Sequence, residues 1–151
     1  MNVGEVCNRE VVIISKGDSI IDAAKMMRQY NVGDLIVVEE TQGGRVPVGI
    51  LTDRDIVIEI IAEEVELDKI TVGDSMSYEL LVAYEQDEVF ETVRRMSRKG
   101  VRRLPVINID GGLEGIITVD NIIDLLAEQL ADLASLVVKQ QKFESHKLVN
   151  V

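Results

Sequence analysis

Residues that commonly carry catalysis are scarce in this chain. It has one histidine, His146, in a polar C-terminal tail, and one cysteine, Cys7, with no second thiol to pair with. That count argues against a histidine-based triad, and a zinc site would have to be built mostly from carboxylates. Cys7 reads instead as a small buried hydrophobe near the start of the fold. What remains is a threonine and an acid three residues apart, Thr52-Asp53-Arg54-Asp55, inside VGILTDRDIV at 48–57. The pattern returns 66 residues later as Thr118-Val119-Asp120-Asn121, inside EGIITVDNII at 114–123.

Two chemistries suit that spacing. Thr52 and Asp55 have the form of a capping box, in which the hydroxyl accepts from the backbone N–H three residues on and the acid reaches back, a device worth about 1 kcal/mol. A helix N-terminus that carries a hydroxyl and unpaired N–H groups is equally a ready site for phosphate or ribose. In the second copy Asn121 replaces the acid, so the hydrogen bond survives without the carboxylate's favourable interaction with the helix end. Gly49 and Gly115 ahead of each motif permit tight strand entry or close approach of another backbone.

Basic charge is concentrated in RRMSRKGVRR, Arg94–Arg103, within a chain whose net charge is −11. Arg94, Arg95, Arg98, Lys99 and Arg102 recur at helical spacing near one face, as on a solvated face. Arg102 and Arg103 lead straight into Leu104-Pro105-Val106, an apolar β-type run, and strand ends are where ligand crevices form in α/β sheets. The global acidity argues against nucleic acid and anionic membrane as partners. No gripping glycine-rich loop, nucleophile–base pair or metal cluster is visible, so no catalytic or metal-binding residue is assigned.

These residues are positioned by a unit that occurs twice. An ungapped match at an offset of 69 lays Val3-Gly4-Glu5 over Val72-Gly73-Asp74 and runs on to Val38 over Ile107, after which the offset falls to 66. Each copy reads as an apolar run, an amphipathic helix (Ile20, Ala23, Ala24, Met27; Val89, Thr92, Val93, Met96), a β-type run, turn residues, a second strand carrying the motif, and another helix. A unit of about 60 residues is marginal alone, so the two should pack together. The longer first copy places its three extra residues in a loop over 39–48. The last helix keeps an apolar stripe at Ile122, Leu126, Leu130, Leu133 and Val137, suited to covering the core or to a subunit contact, and 140–151 reads as a frayed polar tail. Apolar runs fall short of membrane-spanning length and no signal peptide is visible, so a cytoplasmic location is expected.

Taken together, VGILTDRDIV, GVRRLPVI, EGIITVDNII and the repeat resemble a tandem pair of cystathionine-β-synthase (CBS) domains, a Bateman module. The resemblance implies a mixed α/β fold of two CBS repeats, 3–66 and 67–130, each a small, mainly three-stranded sheet with two helices. A pseudo-two-fold axis relates the repeats, and 131–151 forms an extended helix and tail. It implies a regulatory module without catalysis that binds AMP, ADP or ATP between its repeats. S-adenosylmethionine or NAD(H) sensing, or a ligand-free scaffold, are the alternatives. The family pattern assigns ribose contacts to Thr52 and Asp55 in one copy and to Thr118 and Asn121, with Asp120 close by, in the other. It assigns phosphate to Arg102 and Arg103, and the adenine lining to Asp34, Ile36 and Pro105. Because Asp34 repels phosphate and the arginines belong to the second copy, the second copy's cleft is expected to be the better nucleotide site. A homodimer paired through its helices and an unidentified regulated protein complete the implied partners.

Overall fold

A computed structural model describes residues 1–78 and 80–149. The chain forms α1 (Val3–Val6), β1 (Ile13–Ser15), α2 (Ile20–Tyr30), β2 (Asp34–Thr41), β3 (Gly44–Thr52) and the short α3 (Asp53–Asp55), which continues as a π-helical stretch over Ile56–Ile61. The second half repeats the order with α4 (Val72–Ser75), β4 (Ala83–Tyr84), α5 (Val89–Lys99), β5 (Arg103–Ile107), β6 (Leu113–Thr118) and α6 (Val119–Val149). Each half builds a three-stranded mixed sheet, β1-β2-β3 and β4-β5-β6, with one parallel and one antiparallel pairing. This is the expected mixed α/β architecture.

The cores follow from the apolar periodicity. Ile20, Ala23 and Met27 of α2 pack on Leu35, Val37 and Leu51, while Met96 of α5 packs on Leu104, Val106 and Ile117. A third cluster joins the sheets, with Ile36, Val38 and Ile116 buried between them. Ser19 caps α2 through its hydroxyl, and Asn31 ends it in the left-handed conformation, which Gly100 adopts at the end of α5.

The first segment of each sequence repeat packs on the other half. Val3 lies in the core of the second sheet, and Val72 and Met76 lie in the core of the first. Asn8 exchanges two backbone hydrogen bonds with Ile116, both 2.9 Å. At the corresponding positions Ser77 donates to Ile50 at 3.0 Å and accepts from it at 3.4 Å. The same exchange ties Val3 N–H to Asp87 C=O and Val72 N–H to Asp18 C=O, at 2.8 and 2.9 Å. Equivalent bonds at equivalent positions define the pseudo-two-fold axis.

The motif glycines exist for this crossing. A Cβ on Gly115 would stand 2.7 Å from the Asn8 carbonyl oxygen and 2.9 Å from the Cys7 sulfur. On Gly49 it would stand 2.5 Å from the Met76 sulfur and 2.8 Å from the Ser77 carbonyl oxygen. Cys7 itself is partly buried against the second core, where burial raises its pKa above the ordinary thiol value.

Three expectations change. The extra residues of the first copy are not a loop: β2 and β3 stay paired out to Thr41 and Gly44, where Arg45 pairs with Glu40 across the ladder and the Thr41 hydroxyl donates to the Gly44 carbonyl, each at 2.8 Å. The polar segment from Gln140 is not frayed but continues α6 to Val149, with Asn150 and Val151 outside the described residues. Ile122 leaves the surface stripe and enters the second core, so the exposed stripe begins at Ile123. Among the described residues, no helix is long and apolar enough to cross a membrane.

Gly49→Ala and Gly115→Ala are each expected to lower stability by about 1–3 kcal/mol, since backbone oxygens on the crossing segment cannot yield as a flexible side chain would. Gly17→Ala, whose Cβ would meet nothing within 4 Å, should be neutral or slightly stabilising. Urea unfolding of the three variants tests this, and equal losses at all three would remove the crossing as the cause.

Candidate functional site

A cleft of about 420 Å³ opens where the first sheet's motif meets the segment leading into β5. It is lined by Thr52, Arg54 and Asp55 from the first half, by Gly100, Val101, Arg102 and Arg103 from the second, and by Ser77, Leu80 and Leu81. The strand end fixes Thr52, whose hydroxyl accepts from Asp55 N–H at 3.1 Å while the Asp55 carboxylate accepts from Thr52 N–H at 3.0 Å. The capping box is therefore formed, and its oxygens still face a cleft. Thr118 and Asn121 make the same pair of bonds at 3.2 and 3.0 Å.

Most of the basic cluster is consumed locally. Arg94 pairs with Glu91, and Arg95 donates to Asp87 at 3.1 Å and to the Val82 carbonyl at 2.6 Å, clamping α5 to the strand before it. Gly100 ends the helix, so Arg102 and Arg103 fall beyond it at the cleft mouth. Arg102 is exposed and forms no ion pair among the described residues. Arg103 binds Asp34 at 2.6 Å, a pair formed between counterpart positions of the two repeats and hence beside the pseudo-two-fold axis.

The arginines thus join Thr52 and Asp55, not Thr118 and Asn121. This reverses the expected grouping. The physical reason is the crossed packing, which sets the entry to β5 against the end of β3. Across the axis two of the three charges invert, since Arg54 and Arg103 correspond to Asp120 and Asp34, while Arg102 corresponds to the uncharged Gly33. Asn121 lines a different depression with Glu5, Asp124 and Glu128, and Asp120 is exposed. The remaining residues assigned to adenine are not at a surface. Ile36 is fully buried between the sheets, and Pro105, its counterpart, is buried opposite Ile116 in the ladder, because both occupy central strands.

Pro105 also alters the strand beside the cleft. Ile36 N–H donates to the Val12 carbonyl at 3.1 Å, a bond Pro105 cannot make, so β4 begins one residue later than β1 and the Leu81 carbonyl lacks that donor. Arg54 and Ser77 were missed by sequence reasoning. Arg54 sits inside the motif at a variable position. No local signal could place Ser77, which arrives from the other repeat.

Burial raises the Asp34 carboxyl pKa, against the lowering effect of Arg103 and with a further rise from the Asp53 charge. A carboxyl that holds its proton more tightly folded than unfolded contributes stability below its unfolded pKa and loses it as pH rises through its folded pKa. Relative to the native chain, Asp34→Asn should therefore gain stability as pH climbs from acid to neutral. Arg103→Ala strands the half-buried Asp34 charge and should cost about 1–2 kcal/mol at neutral pH. Adding Asp34→Asn should recover most of that loss in a double-mutant cycle followed by urea unfolding. Simple additivity would mean the pair is not coupled.

The comparisons agree with this architecture. The CBS domain pattern matches residues 3–62 and 72–128. A protein from Methanopyrus kandleri is 34% identical over 125 residues, covering 83% of this chain, which spans only 62% of that relative. Among solved structures, the CBS domain pair of MJ0100, in complex with 5′-methylthioadenosine and S-adenosyl-L-methionine, superposes with a TM-score of 0.73 at 26% identity, covering 85% of this chain and 98% of that one. CBSX2 in complex with AMP gives 0.72 at 25% identity, covering 84% and 96%. With both copies matched and the crossed pair of sheets in place, the chain belongs to the CBS domain family, as a tandem CBS domain pair.

Proposed function

We propose that this CBS pair is a non-catalytic regulatory module that binds an adenosine-containing nucleotide, with AMP, ADP and ATP as the leading ligands. The observation that carries this is the convergence of Arg54, Arg102 and Arg103 with Thr52 and Asp55 in one cleft of mononucleotide scale. Asp55 and Thr52 suit ribose hydroxyls, and the guanidinium groups suit phosphate through charge-assisted bonds. The acidic counterparts across the axis favour one occupied cleft over two. Solved relatives with AMP and with S-adenosyl-L-methionine support the ligand class.

Binding acts on the fold through Arg103. A phosphate competes with Asp34 for that guanidinium, so occupancy weakens an ion pair that spans the axis between counterpart residues. The change in how the repeats meet is what a regulated protein or a second copy of the chain reads, giving two states that a ligand distinguishes. Two copies associate through apolar residues left outward on the helices, including Ile21 and its counterpart Phe90, and Val57 and its counterpart Ile123.

A scaffold that binds nothing has one observation in its favour: Thr52, Asp55 and Arg103 already have partners within the fold. Calorimetry with AMP, ADP, ATP, S-adenosylmethionine and NADH separates the readings. Arg102→Ala with Arg103→Ala should weaken nucleotide binding about tenfold or more, whereas Asp34→Asn should strengthen it by releasing Arg103. No heat and no thermal stabilisation with any of the five would leave the scaffold, and turnover of a nucleotide would make the protein an enzyme.

A further inference from the structure

The cleft at the end of β3 is bordered by acids as well as arginines, and their arrangement limits the charge a ligand can bring. Asp34 is paired across the ladder with Thr52, and Asp53 follows Thr52 directly. Asp53 N–H donates to the Gly33 carbonyl at 2.9 Å, and a Cβ on Gly33 would stand 3.1 Å from the Asp53 carboxylate. Gly33 is the counterpart of Arg102, so an acid stands where a side chain at that position would begin. Asp53 and Asp34 are thus neighbours at the start of β2, near enough that the Asp53 charge adds to the rise of the Asp34 pKa. Asp55, which accepts from Thr52 N–H at 3.0 Å, is a third carboxylate beside the same threonine.

The basic side is smaller than its three arginines suggest. Arg103 is taken up by Asp34 at 2.6 Å. Arg54 and Arg102 are exposed and form no ion pair among the described residues. Lys99 lines an adjoining pocket with Leu80, Leu81 and Val101, not the cleft itself. Two unpaired guanidinium groups match the roughly two negative charges of one phosphate monoester at neutral pH. Each further phosphate adds negative charge beside Asp34, Asp53 and Asp55, and no other cation lines the cleft to meet it.

We propose that Asp34 and Asp53 make the cleft selective for a single phosphate, so that a nucleoside monophosphate binds in preference to the corresponding di- and triphosphate. This selectivity rests on the cleft being a nucleotide site, and it narrows that ligand class by charge. It works by exclusion: the acids do little to a phosphate whose charge Arg54 and Arg102 already balance, and they repel whatever exceeds it.

The test is calorimetry of the full chain with AMP, ADP and ATP at neutral pH and low salt, without magnesium, which would neutralise part of the extra charge. AMP should bind tightest and ATP about tenfold more weakly or worse. Asp53→Asn keeps an oxygen able to accept from Arg54 N–H, now at 2.8 Å, and leaves the Arg103 ion pair alone. It should raise ATP affinity more than AMP affinity, narrowing their ratio about threefold. Asp34→Asn should narrow it too, and the double variant should bring the two nucleotides close to parity. Equal changes for both nucleotides in each variant, as a purely structural role gives, would overturn the selectivity. ATP binding as tightly as AMP to the native chain would overturn it while leaving the nucleotide site in place. No binding of any of the three would remove the nucleotide site and the selectivity with it.

Discussion

The fold depends on one exchange: residues 2–8 of the first repeat lie on the second sheet, and residues 71–77 of the second repeat lie on the first. Four backbone hydrogen bonds, between Asn8 and Ile116 and between Ser77 and Ile50, fasten the two segments. Each half then completes its core only with residues from the other, Val3 in one case and Val72 with Met76 in the other. Neither half can detach without exposing apolar surface and unpaired backbone groups, both costly in water. That constraint explains the two motif glycines, the shared cluster at Ile36, Val38 and Ile116, and the meeting of the β3 end with the β5 entry that forms the cleft.

Near symmetry with unequal charge is the second theme. The backbone repeats its bonds at equivalent positions, yet Arg54 and Arg103 at the cleft have the acidic counterparts Asp120 and Asp34. Arg103 and Asp34 are the point where this inversion is felt inside the molecule, because counterpart residues beside the axis meet each other. Had both remained acidic or both basic, like charges would stand at contact distance in a partly buried setting, at a cost of several kcal/mol at low effective dielectric. Opposite signs at this position make the contact an attraction, and Arg102 at the mouth forms no ion pair among the described residues.

Helices divide the remaining labour. α2 and α5 bury one face each against their own sheet, whereas α6 does so only in its first turns and then carries its apolar stripe into solvent. The helix's local chemistry, with Thr118 and Asn121 at its start and few helix breakers along it, sustains the helix to Val149.

Much of this was legible in the amino-acid sequence, because it is encoded within a few residues. The repeat at offsets of 69 and 66, the helix periodicity, the capping boxes at Thr52 and Thr118 and the strand runs at 35–38 and 104–107 all depend on neighbours in the chain. The sequence alone therefore determined the tandem architecture and the capped strand–helix junctions at Thr52 and Thr118. Which residues share a cleft was decided only by tertiary structure. Thr52 and Arg102 are 50 residues apart, Ser77 comes from the opposite repeat, and Ile36 is removed from any surface by the packing of two sheets. Those placements arise from the exchange across the axis, which leaves no local pattern. A reading that kept each repeat whole consequently put the arginines with the wrong threonine.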